Sequence, residues 1–284
     1  MHSKKGAIEI RKRLWLLTTD PFLREQICAL VLYHQAPFFA LSHDSATAEF
    51  LARKMSCDVD LSLLCALAEC DMRGRICEDQ QKVLDDIELF EQLAKDLSCF
   101  DREYLWPDKL TRSEYVRGHG KIHADTPVHK KDFEVFLLSG LPASGKDTWC
   151  AEKNLPVVSY DDIRQKHKYK HGSHTGEIVH EAHDLAREYL RKKESFIWNA
   201  THLSADMRAP ASKLIRQYQG SVHHVCFETT FEDVMTRNNL RNTGIKNAKI
   251  VEMAGKWEMP LAWEAENTSF VWGSQKQKLA IKRP

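Results

Sequence analysis

The chain has 284 residues, 43% hydrophobic and 29% charged, with a formal net charge of +1. That length favours two domains, and the composition excludes a disordered or fibrous chain. The near-zero charge excludes a global basic field, so any nucleic-acid contact has to come from a local groove.

From residue 7 to about residue 100 the pattern is helical. Ile27, Leu30, Val31 and His34 recur at helix spacing behind Pro21, which suits a first helical turn. Asp60 is placed to cap an apolar helix over Leu61–Cys70, and Cys77–Leu97 reads as a long amphipathic helix. Residues 101–131 break the pattern with Pro107, Gly118, Gly120 and Pro127 in a polar, basic stretch, and read first as a linker, or else as a basic loop set against an acidic substrate.

After the linker, short apolar runs at Val135–Ser139, Val157–Tyr160, Phe196–Asn199 and Val222–Phe227 alternate with helical segments. This predicts an α/β domain over 132–275, a parallel sheet with flanking helices, behind an all-α domain over 1–100. Residues 276–284 read as a basic tail. The eight cysteines form no C-x-x-C pair and read as buried thiols in a reducing cytoplasm. No run approaches the roughly 18–20 apolar residues of a membrane span, so no membrane partner is expected.

The strongest chemical signal is Gly140-Leu-Pro-Ala143-Ser144-Gly145-Lys146-Asp147-Thr148, placed between an apolar strand and a helix. That is the setting the G-x-x-x-x-G-K-[ST] phosphate loop requires. Its backbone N–H groups cradle phosphates, the new helix adds its N-terminal partial charge, and Lys146 reaches the β/γ oxygens. ATP is the expected cofactor. Magnesium is expected beside it, on Asp147 or on Thr148, because Asp147 stands where Ser or Thr normally ligates the metal.

Ser159-Tyr160-Asp161-Asp162-Ile163-Arg164 follows the second strand, at the end where parallel sheets bind ligands. Asp161 suits a carboxylate that orients an attacking hydroxyl, and Arg164 suits an acceptor phosphate. One Asp could instead cap a helix through residue 170. Asn199 and Thr201 end the third strand, as metal-side or phosphate-side contacts or as simple strand stops. Thr230 and Asp233 read as a capping box for a helix whose Arg237 and Arg241, four apart, could close as a lid over the triphosphate. The lysines at 166, 168 and 170 are a modest basic channel, or a solvated helix face.

Gly140–Trp149, Asp161–Arg164, Asn199–Leu203 with Arg208, and Arg237–Arg241 together resemble, in this order, the phage-type polynucleotide 5′-hydroxyl kinase of the P-loop NTPase superfamily. The resemblance covers about residues 132–260. It implies Asp161 as general base, Arg164 on the acceptor-strand phosphate and Arg241 on the donor phosphate. It also implies a nucleic-acid 5′ end, RNA or DNA, as partner substrate, and an RNA ligase or phosphatase as protein partner, with homo-oligomerisation left open. Asp147 departs from the family pattern, as does Asn199, where that family has Asp.

The segments His2-Ser3-x-x-Gly6-Ala7, Tyr33-His34-Gln35-x-Pro37 and Ala68-Glu69-Cys70-Asp71-x-Arg73-Gly74-Arg75 resemble the latter half of an HD-type metal phosphohydrolase domain, found beside kinases in bacterial end-healing enzymes. By that resemblance His2, His34 and Asp71 would be later ligands of a transition-metal site. The earlier ligands are expected upstream of Met1. His43-Asp44 comes in the wrong order and reads as a decoy. Either the chain is a fragment, the preferred expectation, or the domain has become a scaffold; no phosphatase activity is expected of it. Kinases of small metabolites and non-catalytic ATP-binding modules share the phosphate loop and stay open as alternatives.

Overall fold

A computed structural model describes residues 2–17, 20–128, 131–170, 173–241, 245–261 and 263–272, with only the backbone of His2. The expected tail over 276–284 lies outside the described residues. The chain divides into a unit of residues 1–128 with 261–264, and a unit of 129–260 with 265–284.

The first unit is helical: α1 (His2–Leu17), α2 (Pro21–Tyr33), α3 (Ser45–Ser56), α4 (Leu61–Arg73), α5 (Gln80–Asp96) and α6 (Lys109–Arg117). Asp20, Asp44 and Asp60 cap α2, α3 and α4 by accepting backbone N–H bonds. Asp44, half of the His43-Asp44 dipeptide, is therefore an N-cap. Leu61, Leu64 and Ala68 of α4 meet Ile87, Phe90 and Ala94 of α5 in the core. These apolar positions follow the helical spacing seen in the sequence.

The expected linker is corrected. Residues 101–131 carry α6, capped by Asp108. Tyr115 and Val116 are buried with Phe50 and Ala124, and Tyr104, Trp106 and Trp263 pack on them. Thr111 and Ser113 are fully buried, with the Ser113 Oγ donating to the Trp263 carbonyl at 3.1 Å. This segment buries aromatic rings and bonded hydroxyls, which leave no apolar periodicity to detect.

The buried Asp58 Oδ2 accepts from Tyr33 Oη at 2.9 Å and Trp263 Nε1 at 3.2 Å. Burial pushes its carboxyl up to about 7, against the pull of those two donors and of Lys54, with Glu264 adding to the rise. Its folded pKa lies above the unfolded value, so the folded chain holds more protons between about pH 4 and pH 7. This group's contribution to stability is therefore present at low pH and fades as pH rises through 7. Asp58→Asn keeps an acceptor without a charge. It is expected to flatten that decline and leave the variant more stable than wild type at pH 8, read by urea unfolding at pH 5 and pH 8.

The second unit is α/β. Its strands are β1 (Glu134–Gly140), β2 (Val157–Ser159), β3 (Phe196–Asn199), β4 (Ser221–Glu228) and β5 (Asn267–Trp272). All are parallel, in the order β2-β3-β1-β4-β5. The helices are α7 (Lys146–Ala151), α8 (Tyr160–Lys166), α9 (Thr175–Arg191), α10 (Ala205–Gln217), α11 (Phe231–Asn239) and α12 (Asn247–Ala254).

Side-chain alternation explains the continuous apolar runs. Val135, Leu137, Phe196 and Trp198 enter one cluster with Ile178, Ala182 and Ala186 of α9 and Ala211 and Ile215 of α10. Leu138, Ile197, Val225 and Phe227 enter another with Cys150 of α7. Both sheet faces are covered, so β1 and β3 read as near-continuous hydrophobic runs, while β4 carries His223 and the buried His224 within its run.

Two expectations differ here. The edge strand β5 was not foreseen, because Asn267, Thr268 and Ser269 are only half-buried and lack an apolar run. The helix expected to continue through residue 170 ends at Lys166, and its cap is the Ser159 hydroxyl, which accepts from the Asp162 N–H. Neither Asp161 nor Asp162 is needed as a cap.

Candidate functional site

β1 lies at the centre of the sheet, so its loop opens at the carboxyl edge between β3 and β4. A Cβ at Gly140 would fall 2.8 Å from Phe227 Cβ and 3.0 Å from Ser144 Oγ, so the strand end must be glycine. Gly145 has open space around it but φ of 103°, which an L side chain rarely adopts. Ala143 also lies in the left-handed region, at φ 62°. Gly140→Ala is expected to pry the loop from β4 and cost about 1–3 kcal/mol of stability, seen as a lower thermal midpoint together with weaker ATP binding.

Lys146 is buried. Its Nζ donates to the Gly140 carbonyl at 2.9 Å and the Leu141 carbonyl at 2.8 Å, with Ser144 Oγ at 3.5 Å. Burial lowers its ammonium to about 8, Asp147 and Asp161 pulling the other way. It makes no ion pair among the described residues. A buried cation held only by neutral dipoles suits an anionic ligand.

A cleft of about 170 Å³ opens beside it, lined by residues 142–147, Tyr160, Asp161, Arg164, Asn199, Ala200, Thr201, Arg241, Ile245 and Met253. The expected residues Ala143, Ser144, Gly145, Lys146, Asp147, Asp161, Arg164, Asn199, Thr201 and Arg241 thus meet in one place. Asp147 Oδ1 accepts from Asn199 Nδ2 at 2.9 Å, and its Oδ2 accepts from Arg241 Nη2 at 3.3 Å. The two departures from the kinase pattern therefore touch each other. Asp161 Oδ1 accepts a close hydrogen bond from Arg164 Nη1, three residues on in α8. The Arg164 Nε is buried without a partner.

A second, more open hollow is lined by Ala143, Ser144, Gly145, Thr148, Trp149, Glu152, Arg237, Arg241, Val271 and Trp272. Thr148 lines this hollow rather than the cleft that holds Asp147. Of the proposed lid pair, Arg241 borders both hollows and Arg237 only the second. The shared helical face expected for them is corrected: α11 ends at Asn239, so Arg241 lies beyond its last turn. Arg208, noted in the sequence as part of the kinase pattern, is buried and donates to the carbonyls of His202 and Glu258. It supports the loop after β3. Tyr160, Ile245 and Met253 in the cleft, and Trp272 beside the second hollow, were not expected. Only Tyr160 and Trp149 had a sequence signal, each adjoining a motif residue.

The residual metal site finds no support in the first unit. Asp71 is held by Arg75, and His34 Nδ1 meets the Val31 carbonyl at 2.8 Å. Among the described residues no three His, Cys, Asp or Glu side chains are placed to hold a metal. The His2 side chain lies outside the described residues. No described helix is long and apolar enough to cross a membrane.

The five-stranded parallel sheet, with its phosphate loop after the central strand, gives the second unit the architecture of a P-loop NTPase. Residues 135–257 match the family model described as an AAA domain. A solved structure of a "putative kinase" from Chloroflexus aurantiacus is 14% identical, with a TM-score of 0.40 over 53% of this chain and 90% of that one. No curated protein matches the chain.

Proposed function

We propose that the second unit transfers the γ-phosphate of ATP to the 5′-hydroxyl of a polynucleotide, RNA or DNA, as in strand-end repair. The observation that carries this reading is the placement of Asp161 and Arg164 in the same cleft as Lys146. An ATP-binding module needs a phosphate cradle alone. A carboxylate and a guanidinium in the same cleft supply what an acceptor needs.

Asp161 accepts the hydrogen bond of the attacking hydroxyl and aligns it in line with the γ-phosphorus. Its pairing with Arg164 keeps the carboxylate beside a positive charge that can hold the acceptor's own phosphate. Lys146 and Arg241 offset charge that gathers on the transferring oxygens. The second hollow, between Trp149 and Trp272 beside Arg237, suits the donor nucleoside.

Magnesium fits this donor set. Asp147 supplies one hard carboxylate, with Asn199 and Asp161 in the same cleft, and magnesium ordinarily takes one or two carboxylates plus substrate phosphates and water. When bound, it would neutralise phosphate charge. No phosphatase activity is proposed for the first unit. A phosphatase that clears the 3′ end, or an RNA ligase that uses the 5′-phosphate, is the proposed kind of partner.

The test is transfer of labelled γ-phosphate from ATP to a 5′-hydroxyl oligonucleotide in the presence of magnesium. Label on the oligonucleotide is expected. ATP binding without transfer to RNA or DNA would sink the polynucleotide reading and leave a small acceptor or a regulatory role.

A further inference from the structure

The chain between α8 and α9 stacks three rings. The Tyr169 ring centroid lies 5.2 Å from that of His167, at 15° between planes, and 4.1 Å from that of His174, at 7°. Both histidines are exposed, while Tyr169 is half-buried and anchored on the sheet's core. Two backbone reversals bring the rings together, Lys168 at φ 55° and His174 at φ 54°. Each left-handed non-glycine residue costs roughly 1–2 kcal/mol, and such positions gather at ligand sites.

Hydrogen bonds hold the arrangement. The Tyr169 N–H donates to the Arg164 carbonyl at 3.0 Å, and its Oη donates to Glu177 Oε2 at 2.7 Å. His167 Nε2 meets Glu181 Oε2 at 2.7 Å, and Lys166 Nζ donates to Glu181 Oε1 at 2.8 Å. Both neighbouring acids are thus engaged. Lys168 and Lys170 are exposed and make no ion pair among the described residues.

Exposed rings beside unpaired ammonium groups are what seat unstacked bases next to their phosphates. His167 follows Asp161 by six residues, so it lies about 9 Å along α8 and its cap. A strand leaving the cleft spans that within its first few nucleotides.

We propose that the His167–Tyr169–His174 stack, with Lys168 and Lys170, seats the first unpaired bases behind the 5′ end of a single-stranded acceptor. This rests on reading Asp161 as the acceptor end of the cleft.

The test is fluorescence anisotropy of a 3′-labelled ten-nucleotide single strand with the full chain. His174→Ala is expected to weaken binding about tenfold, within the range for one stacked base, and His174→Phe to keep the affinity. Replacing Lys168 and Lys170 together by Ala should reduce the slope of log affinity against log salt by about 1.4. Equal affinity of wild type and His174→Ala would overturn the proposal, as would a loss in His174→Phe as large as in the Ala variant. A blunt duplex bound as tightly as the single strand would overturn it too. Binding needs no phosphate transfer, so the two readings fail separately. A strand bound through the stack but never phosphorylated would sink the kinase reading alone. Transfer together with binding indifferent to His174 would sink the seat alone.

Discussion

Asp161→Asn is expected to lower γ-phosphate transfer to a 5′-hydroxyl end by about 10²–10⁴-fold while ATP still binds, the range a positioned proton acceptor contributes. The variant keeps the side chain's shape and removes its charge. Asp161 is 69% exposed on its side chain, and its ion pair is with the neighbouring Arg164 in the same helix. Such an exposed pair contributes at most about 1 kcal/mol to stability, so lost activity would not reflect unfolding. The helix itself does not need Asp161, since Ser159 provides the cap. Single-turnover transfer assays with saturating ATP separate this effect from nucleotide binding. Activity within a factor of a few of wild type would remove Asp161 from the acceptor's end of the cleft and leave no group there to orient the hydroxyl.

The Asp147–Asn199 contact gives the second expectation. The kinase pattern that these motifs resemble has a hydroxyl in the loop and a carboxylate at the strand end; here the carboxylate is in the loop and an amide faces it at 2.9 Å. One negative charge is kept in the cleft but moved across it. Asp147→Ser should therefore cost transfer on the order of 10²-fold, as loss of one preorganised electrostatic group does. Asn199→Asp alone sets two carboxylates in hydrogen-bond range, where like charges oppose one another's ionisation. The double variant Asp147→Ser with Asn199→Asp restores the arrangement of the pattern resembled and should recover most of the activity. The cycle should then show a coupling of roughly 0.5–3 kcal/mol, as for residues in direct contact. Additive losses would mean that the two side chains act independently and that the exchange has no functional content. Transfer measured across a magnesium titration would show whether the loss lies in metal demand.

Much of this protein was legible in the order of its residues. The inner strands announce themselves because both sheet faces are covered, which makes β1 and β3 near-continuous apolar runs. The phosphate loop is local chemistry, with glycines where a Cβ would strike Phe227 or where φ is positive, so its spacing carries its geometry. Caps at Asp60 and Thr230 are local in the same sense.

What the tertiary structure decided is where distant segments meet. Residues 101–131 looked like a linker because their burial runs through Tyr104, Trp106 and Tyr115 and through bonded hydroxyls, contacts with no period along the chain. β5 was hidden because an edge strand needs no apolar run, yet it brings Trp272 to the second hollow. The contact of Asp147 with Asn199 spans 52 positions, and that with Arg241 spans 94. Local propensity reports on neighbours within a few residues, whereas packing and charge pairing act across space. The sequence alone was therefore enough to recognise a phosphate-binding domain, and only the fold could pair its charges or stack three rings behind Arg164.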